Sequence, residues 1–337
     1  MPGTSGNSYV LLLTLILVFM GIFNSCDKKP ELHFHYSDGT TIKDSTVIQF
    51  LMQQLPAQVP DYDSTVSTHV TTCLDQEVDR KMTAYFRADS SVKVSGMVIL
   101  ENKTGNLVYC KNSEELFIYS QQFQTMKMYG ILLSLEKGVK LTDTFSWTGK
   151  YSHKKYDSTV ARLYRMSAPS LEYKYPFDNY SCDQWSAFLK KLEVSENERD
   201  CADGEIFPRY YFRTSLFDLT KTGVLINQDG FTSANNLFGE VKDSDKKNRY
   251  KAKLVKGKLL KTETCLAAKK ILKRDPFDVI QFSYPIFLYK HGEIRNGMIL
   301  STKKYTIGFL ADSKSDTKGF VTKEIYSLMS LLESSKH

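Results

Sequence analysis

The residues of this chain that could attack, deprotonate or ligate form few usable patterns. A serine three residues before a lysine occurs at Ser90-Ser91-Val92-Lys93 and at Ser301-Thr302-Lys303-Lys304. On a helix that spacing sets a hydroxyl beside an amine, and the amine can take its proton so that the oxygen attacks an acyl group. Ser90 precedes a predicted hairpin and Ser301 leads a predicted strand, so neither pair has helical spacing. Lys127 does lie on a helical pattern, but the residue one turn before it is Gln124, and a carboxamide cannot form an acyl-enzyme. Thr125 is one position off and points about 100° away, and Ser120 is too far upstream for the same turn. Ser181-Cys182-Asp183 precedes a second helical pattern, where Asp183 is also an ordinary N-cap. Lys290-His291-Gly292 ends a predicted strand and offers a cation beside a glycine that lets a ligand approach the backbone.

Other chemistries find little support. The six histidines form no H-E-x-x-H and no i, i+4 pair, so no metal site is expected. No Gly-rich phosphate loop and no G-x-S-x-G is present, and no cofactor is expected. Five cysteines follow Cys26, namely Cys73, Cys110, Cys182, Cys201 and Cys265. None forms a C-x-x-C pair, which argues against zinc. Cys182 with Cys201 is the nearest plausible disulfide. The net charge of +7 is spread along the 337 residues, without the dense basic patch that nucleic acid needs. A basic surface is compatible with anionic lipid or an anionic wall polymer.

The elements that must position these residues follow from periodicity. In Lys127 to Gly138, Met128, Ile131, Leu132 and Leu135 fall at i, i+3, i+4 and i+7, one face of an amphipathic helix closed by the glycine. Thr68 to Asp75 alternates as a strand and stops at a helix cap, where Asp75 caps a helix carrying Val78, Met82 and Phe86. Val94–Asn102 and Leu107–Cys110, joined by Lys103-Thr104-Gly105-Asn106, form a hairpin. Helices are predicted over 47–55, 184–192, 216–226, 265–272 and 322–332, and strands over 285–290 and 304–311. Residues 139–180 read as loop-rich and aromatic, and 241–262 has no clear pattern. This order predicts an α+β fold, an antiparallel sheet flanked by helices with a helical lobe.

The N-terminus reads as a targeting segment. Val10 to Phe23 is an apolar run of 14 residues, short for a membrane span of about 20 and right for a signal-peptide core. It runs into Asn24-Ser25-Cys26, which resembles a bacterial lipoprotein cleavage site with Cys26 lipidated. An uncleaved anchor or ordinary secretion also fits, and each alternative puts the chain outside the cytoplasm. The expected division is a signal segment over 1–26, an N-terminal extension and linker over 27–67, and a domain over 68–337.

That domain resembles the penicillin-binding D,D-transpeptidases and serine β-lactamases, whose sites combine S-x-x-K, S-x-N and K-T-G. Five segments carry the resemblance in order: Val70-Thr71-Thr72-Cys73-Leu74-Asp75; Met97 to Val108; Lys127 through Asp143-Thr144-Phe145; Thr214 to Leu219 running to Asn227-Gln228-Asp229-Gly230; and Tyr305 to Phe309. The resemblance implies that Lys127, Ser181 and Asp183 occupy catalytic positions, with Gln124 replacing the nucleophile. It implies that Lys290, His291 and Gly292 form the carboxylate-binding strand end, with His291 in place of threonine. The expected protein is a membrane-anchored pseudoenzyme of the bacterial envelope that binds wall stem peptide, a β-lactam or a protein partner, and not nucleic acid. The alternatives are an active transpeptidase, carboxypeptidase or β-lactamase with a non-standard nucleophile, and a pure interaction scaffold. With fewer than 70 residues before the domain, no glycosyltransferase domain is expected.

Overall fold

The chain opens with strand β1 (Leu32–His35) and helix α1 (Ser45–Gln58), then β2 (Thr68–Thr72) and α2 (Gln76–Ala88). The hairpin β3 (Val94–Glu101) and β4 (Leu107–Lys111) leads to helix α3 (Phe123–Glu136). A hairpin, β5 (Thr144–Thr148) with β6 (Lys155–Thr159), and three helices follow: α4 (Val160–Arg165), α5 (Cys182–Lys191) and α6 (Leu216–Asn227). Strands β7 (Phe231–Thr232), β8 (Phe238–Asp243), β9 (Asn248–Lys251) and β10 (Gly257–Lys258) precede helix α7 (Thr262–Leu272). Strands β11 (Phe282–Lys290), β12 (Glu293–Ser301) and β13 (Tyr305–Ala311) come last, before a helical stretch over 328–333. This computed structural model describes residues 30–88, 94–112, 116, 123–149, 152–165, 179–194, 214–232, 236–244, 247–252, 257–272, 280–290, 293–311 and 328–333.

Strand alternation decides the layering. Val98 and Leu100 of β3 enter one hydrophobic cluster, while Met97 and Ile99 enter another. A strand buried on both faces reads as a continuous apolar run, as Met97-Val98-Ile99-Leu100 does. The sheet that carries it has the order β11-β12-β13-β3-β4 and is antiparallel throughout. Helix α6 covers one face. Helix α2, through Val78 and Met82, and the 328–333 helix cover the other. The first layer sits very close: a Cβ on Gly308 of β13 would come within 2.1 Å of Thr220 Oγ1, and one on Gly223 of α6 within 2.8 Å of Thr306 Cγ2. Bare glycines at these two positions let α6 settle onto the sheet.

A second sheet, β1-β2-β8-β9, begins with a parallel pair and continues antiparallel. Residues 27–67, read as extension and linker, thus supply β1 and α1. Phe34, Phe50, Leu51 and Leu55 are buried in the same cluster as the main sheet and α3. The stretch 139–180, read as loop, contains the β5–β6 hairpin and α4. The stretch 241–262, read as unpatterned, holds the second half of β8 together with β9 and β10, and β12 fills the gap between the two predicted C-terminal strands. These strands are short or carry charged residues at alternate positions, so their apolar period is weak and pairing with a neighbour defines them. The expected α+β class, hairpin, Asp75 cap and Gly138 stop are all present: Asp75 Oδ1 accepts from the Glu77 and Val78 amides, and Gly138 has φ +92°.

Candidate active-site region

Helix α3 differs from its sequence reading. Beyond the expected face, Lys127, Tyr129, Leu133 and Ser134 are buried too, so the helix is enclosed on all sides from 127 to 135. It packs against the edge strand β11, α5 and α7, and a helix covered all round keeps no polar face. Its C-terminus closes through Gly138 N–H to Leu135 O and Val139 N–H to Ser134 O, both 3.0 Å. There Glu136 becomes a junction. It accepts from the Lys261 amide and the Thr264 hydroxyl, each at 2.7 Å, and pairs with Lys191 at 3.1 Å. Burial pushes the Glu136 carboxyl up, but these donors outweigh it and hold the group below the usual carboxylate range.

Lys127 sits in the first half of this enclosed helix, 6% exposed. Gln124 is the second helical residue, one turn earlier on the backbone; its side chain lies outside the described residues. Ser181 precedes α5 as its N-cap. The Gln184 amide donates to its hydroxyl at 3.3 Å and the Gln184 side chain accepts from its amide at 2.9 Å, a complete capping box. Asp183 lies exposed in the first turn, where a carboxylate favours the helix dipole. The cap is thus Ser181, where local sequence pointed to Asp183. Lys290 ends β11 and pairs with Glu293 across a two-residue connection. That connection is His291-Gly292, outside the described residues. The helix bearing Lys127 packs against both the strand that ends in Lys290 and the helix that Ser181 caps, so it joins the elements that carry the other two expected motifs.

Sequence reading missed the partner that anchors this region from beneath. Tyr129, two residues after Lys127, shares a hydrogen bond with Thr214 Oγ1 at 2.8 Å, both side chains fully buried. Ser215 next to it caps α6 and donates to the Asp218 carboxylate at 3.0 Å. The signal was the Thr-Ser pair before the helix, which sequence reading used only as flanking context. At the other end of α6, Asn227 donates to Ser301 Oγ and Thr302 O, both at 2.7 Å. Asn102 joins through Thr302 O at 2.8 Å and Thr306 Oγ1 at 2.6 Å. A satisfied buried network of this kind fixes one arrangement of strands.

Thiol chemistry is poorly served here. Cys73, Cys110 and Cys265 are free, and burial pushes each thiol up to about 12, so little thiolate exists near neutral pH. Cys182 is disulfide-bonded; Cys201, its expected partner, lies outside the described residues, as do Cys26 and the apolar run before it. No helix among the described residues is long and apolar enough to cross a membrane.

No family model matches the sequence, and no curated protein matches it. Solved structures do. The D,D-transpeptidase domain of a peptidoglycan glycosyltransferase from Eggerthella lenta superposes with a TM-score of 0.65 at 10% identity, over 91% of this chain and 99% of that one. Penicillin-binding protein A from Mycobacterium tuberculosis gives 0.61 at 9% identity, over 91% and 92%. The imipenem acyl-enzyme complex of the same protein gives 0.54 at 9% identity, over 91% of each chain. The chain therefore has the fold of penicillin-binding transpeptidase domains, as the order of its segments implied.

Proposed function

We propose that this protein is a catalytically silent counterpart of the penicillin-binding transpeptidases. In this reading it is held outside the cytoplasm at the membrane and binds wall stem peptide, or a partner in wall metabolism, in or beside the former cleft. One observation carries the reading: Gln124 stands one turn before the buried Lys127 on the enclosed helix of a transpeptidase fold. Acyl transfer on that helix needs an oxygen or sulfur nucleophile whose proton the lysine amine takes or relays. A carboxamide offers no such nucleophile, because its nitrogen lone pair is delocalised into the carbonyl. Binding groups remain in this reading. Lys290 with His291 and Gly292 would hold a substrate carboxylate, Ser181 and Asp183 a peptide amide, and Cys26 the lipid.

The test combines labelling and binding. Purified protein incubated with a fluorescent penicillin is expected to carry no covalent label, while a muropeptide ending in D-alanyl-D-alanine raises its melting temperature. An adduct mapped by mass spectrometry to one residue would replace this reading with an active enzyme using a non-standard nucleophile. No shift with muropeptide, together with capture of a protein partner, would leave the interaction scaffold.

A further inference from the structure

On the other edge of the main sheet, with three strands between it and β11, a cavity of about 310 Å³ opens between the start of α1, one face of α2 and strand β4. It adjoins a hollow of about 600 Å³ that shares Asp79, Thr83 and Arg87 in its wall. Ligand cavities begin at about this size.

Four charged residues line it, Asp44, Asp79, Arg87 and Lys111, with no ion pair between them among the described residues. On one side stand Asp44 and Asp79. Asp44 caps α1 entirely through Oδ1, which accepts from the Thr46 amide and hydroxyl and the Val47 amide; its Oδ2 has no partner among the described residues. Asp79 accepts from Tyr36 Oη at 2.9 Å through Oδ2, and no bond to its Oδ1 exists among the described residues. On the other side is Lys111. Its ammonium lies 3.6 Å from the centre of the Phe86 ring, with no carboxylate in ion-pairing range among the described residues. Burial alone pulls the Lys111 amine down. Burial, then the neighbouring Asp44 charge, push the Asp79 carboxyl up against the Tyr36 bond.

Tyr109 completes the wall. It is 6% exposed, lines the cavity, and its hydroxyl has no hydrogen-bond partner among the described residues. A polar tip in a mostly buried wall gains from a hydrogen-bond partner that enters the cavity. Here both signs occur in one hollow, with no ion pair between them among the described residues.

We propose that this cavity binds a small zwitterion bearing an ammonium and a carboxylate, an amino acid or a dipeptide. The ammonium sits between Asp44 and Asp79, the carboxylate meets Lys111, and the Tyr109 hydroxyl donates to the ligand. Such a ligand satisfies both halves at once, which neither a simple cation nor a simple anion does. The site is separate from the helix bearing Lys127 and holds whether or not that region binds peptide.

The experiment is isothermal titration of the full chain with L-alanine and with glycylglycine, which separate the free amino acid from the peptide. Ethylammonium and acetate at matched ionic strength are the controls. Saturable binding is expected for at least one zwitterion and for neither control. Asp79→Asn and Lys111→Met should each weaken it at least about tenfold, the worth of one charge-assisted contact. Tyr109→Phe should weaken it with the melting temperature unchanged, and it decides the matter if a charge variant folds poorly. No saturable heat from either zwitterion, equal binding of a control, or affinity indifferent to Lys111→Met and Tyr109→Phe overturns the proposal.

Discussion

Tyr129 Oη and Thr214 Oγ1 lie 2.8 Å apart in the fully buried interior, tying the helix that carries Lys127 to the residue before the Ser215 cap of α6. Tyr129→Phe leaves the threonine hydroxyl unsatisfied in that interior. A loss of about 1–2 kcal/mol is expected in urea unfolding. Thr214→Val in the Tyr129→Phe background should recover part of it, because removing both polar partners costs less than orphaning one. A double-mutant cycle with no coupling between the two positions would refute this.

Gly308 and Thr220 set how near α6 approaches the sheet. A Cβ at Gly308 would stand 2.1 Å from Thr220 Oγ1 and 3.0 Å from Leu216 Cδ1. Gly308→Ala should destabilise by about 1–3 kcal/mol through overpacking, read as a melting temperature lower by roughly 2–4 °C per kcal/mol for a domain of this size. Thr220→Ala added to it should relieve part of the loss. An unchanged melting temperature for Gly308→Ala would contradict the packing described.

Glu136 couples α3 to α5 and to the start of α7, and its carboxyl is held below its ordinary value. The unfolded chain therefore takes up a proton at higher pH than the folded chain does. The stability contributed by Glu136 is full above the unfolded value of about 4.3. It is lost as pH falls through the folded value. Glu136→Gln should flatten the acid limb of a stability–pH curve and lower stability at pH 7 by about 2 kcal/mol, the scale of a hydrogen bond to a charged group. Parallel acid limbs for the two proteins would rule out this role.

Cys73, Cys110 and Cys265, with thiols pushed to about 12 by burial, should react very slowly with an aromatic disulfide reagent at pH 8 in the native protein. All three should react promptly in denaturant. Fast native-state reaction of any of them, mapped by mass spectrometry, would show a more accessible thiol than the structure contains.

The amino-acid order by itself determined the features whose physics is local. Asp75 caps its helix because a short carboxylate reaches the next amides, and Gly138 stops α3 because it takes φ +92° without a Cβ clash. The β3–β4 hairpin follows from two apolar runs around Lys103-Thr104-Gly105-Asn106. The order of those signals was enough to point to the transpeptidase fold, and it put Gln124 one turn before Lys127. Only the tertiary structure decided what surrounds them. A helix read as amphipathic is enclosed on every side, since burial depends on how many neighbours pack around it and not on its own period. Residues 32–58 belong to the fold because β1 pairs with β2 and α1 fills the core, a long-range pairing that local composition does not encode. The charges of Asp44, Asp79, Arg87 and Lys111, from separate parts of the sequence, meet in one cavity only because α1, α2 and β4 converge there.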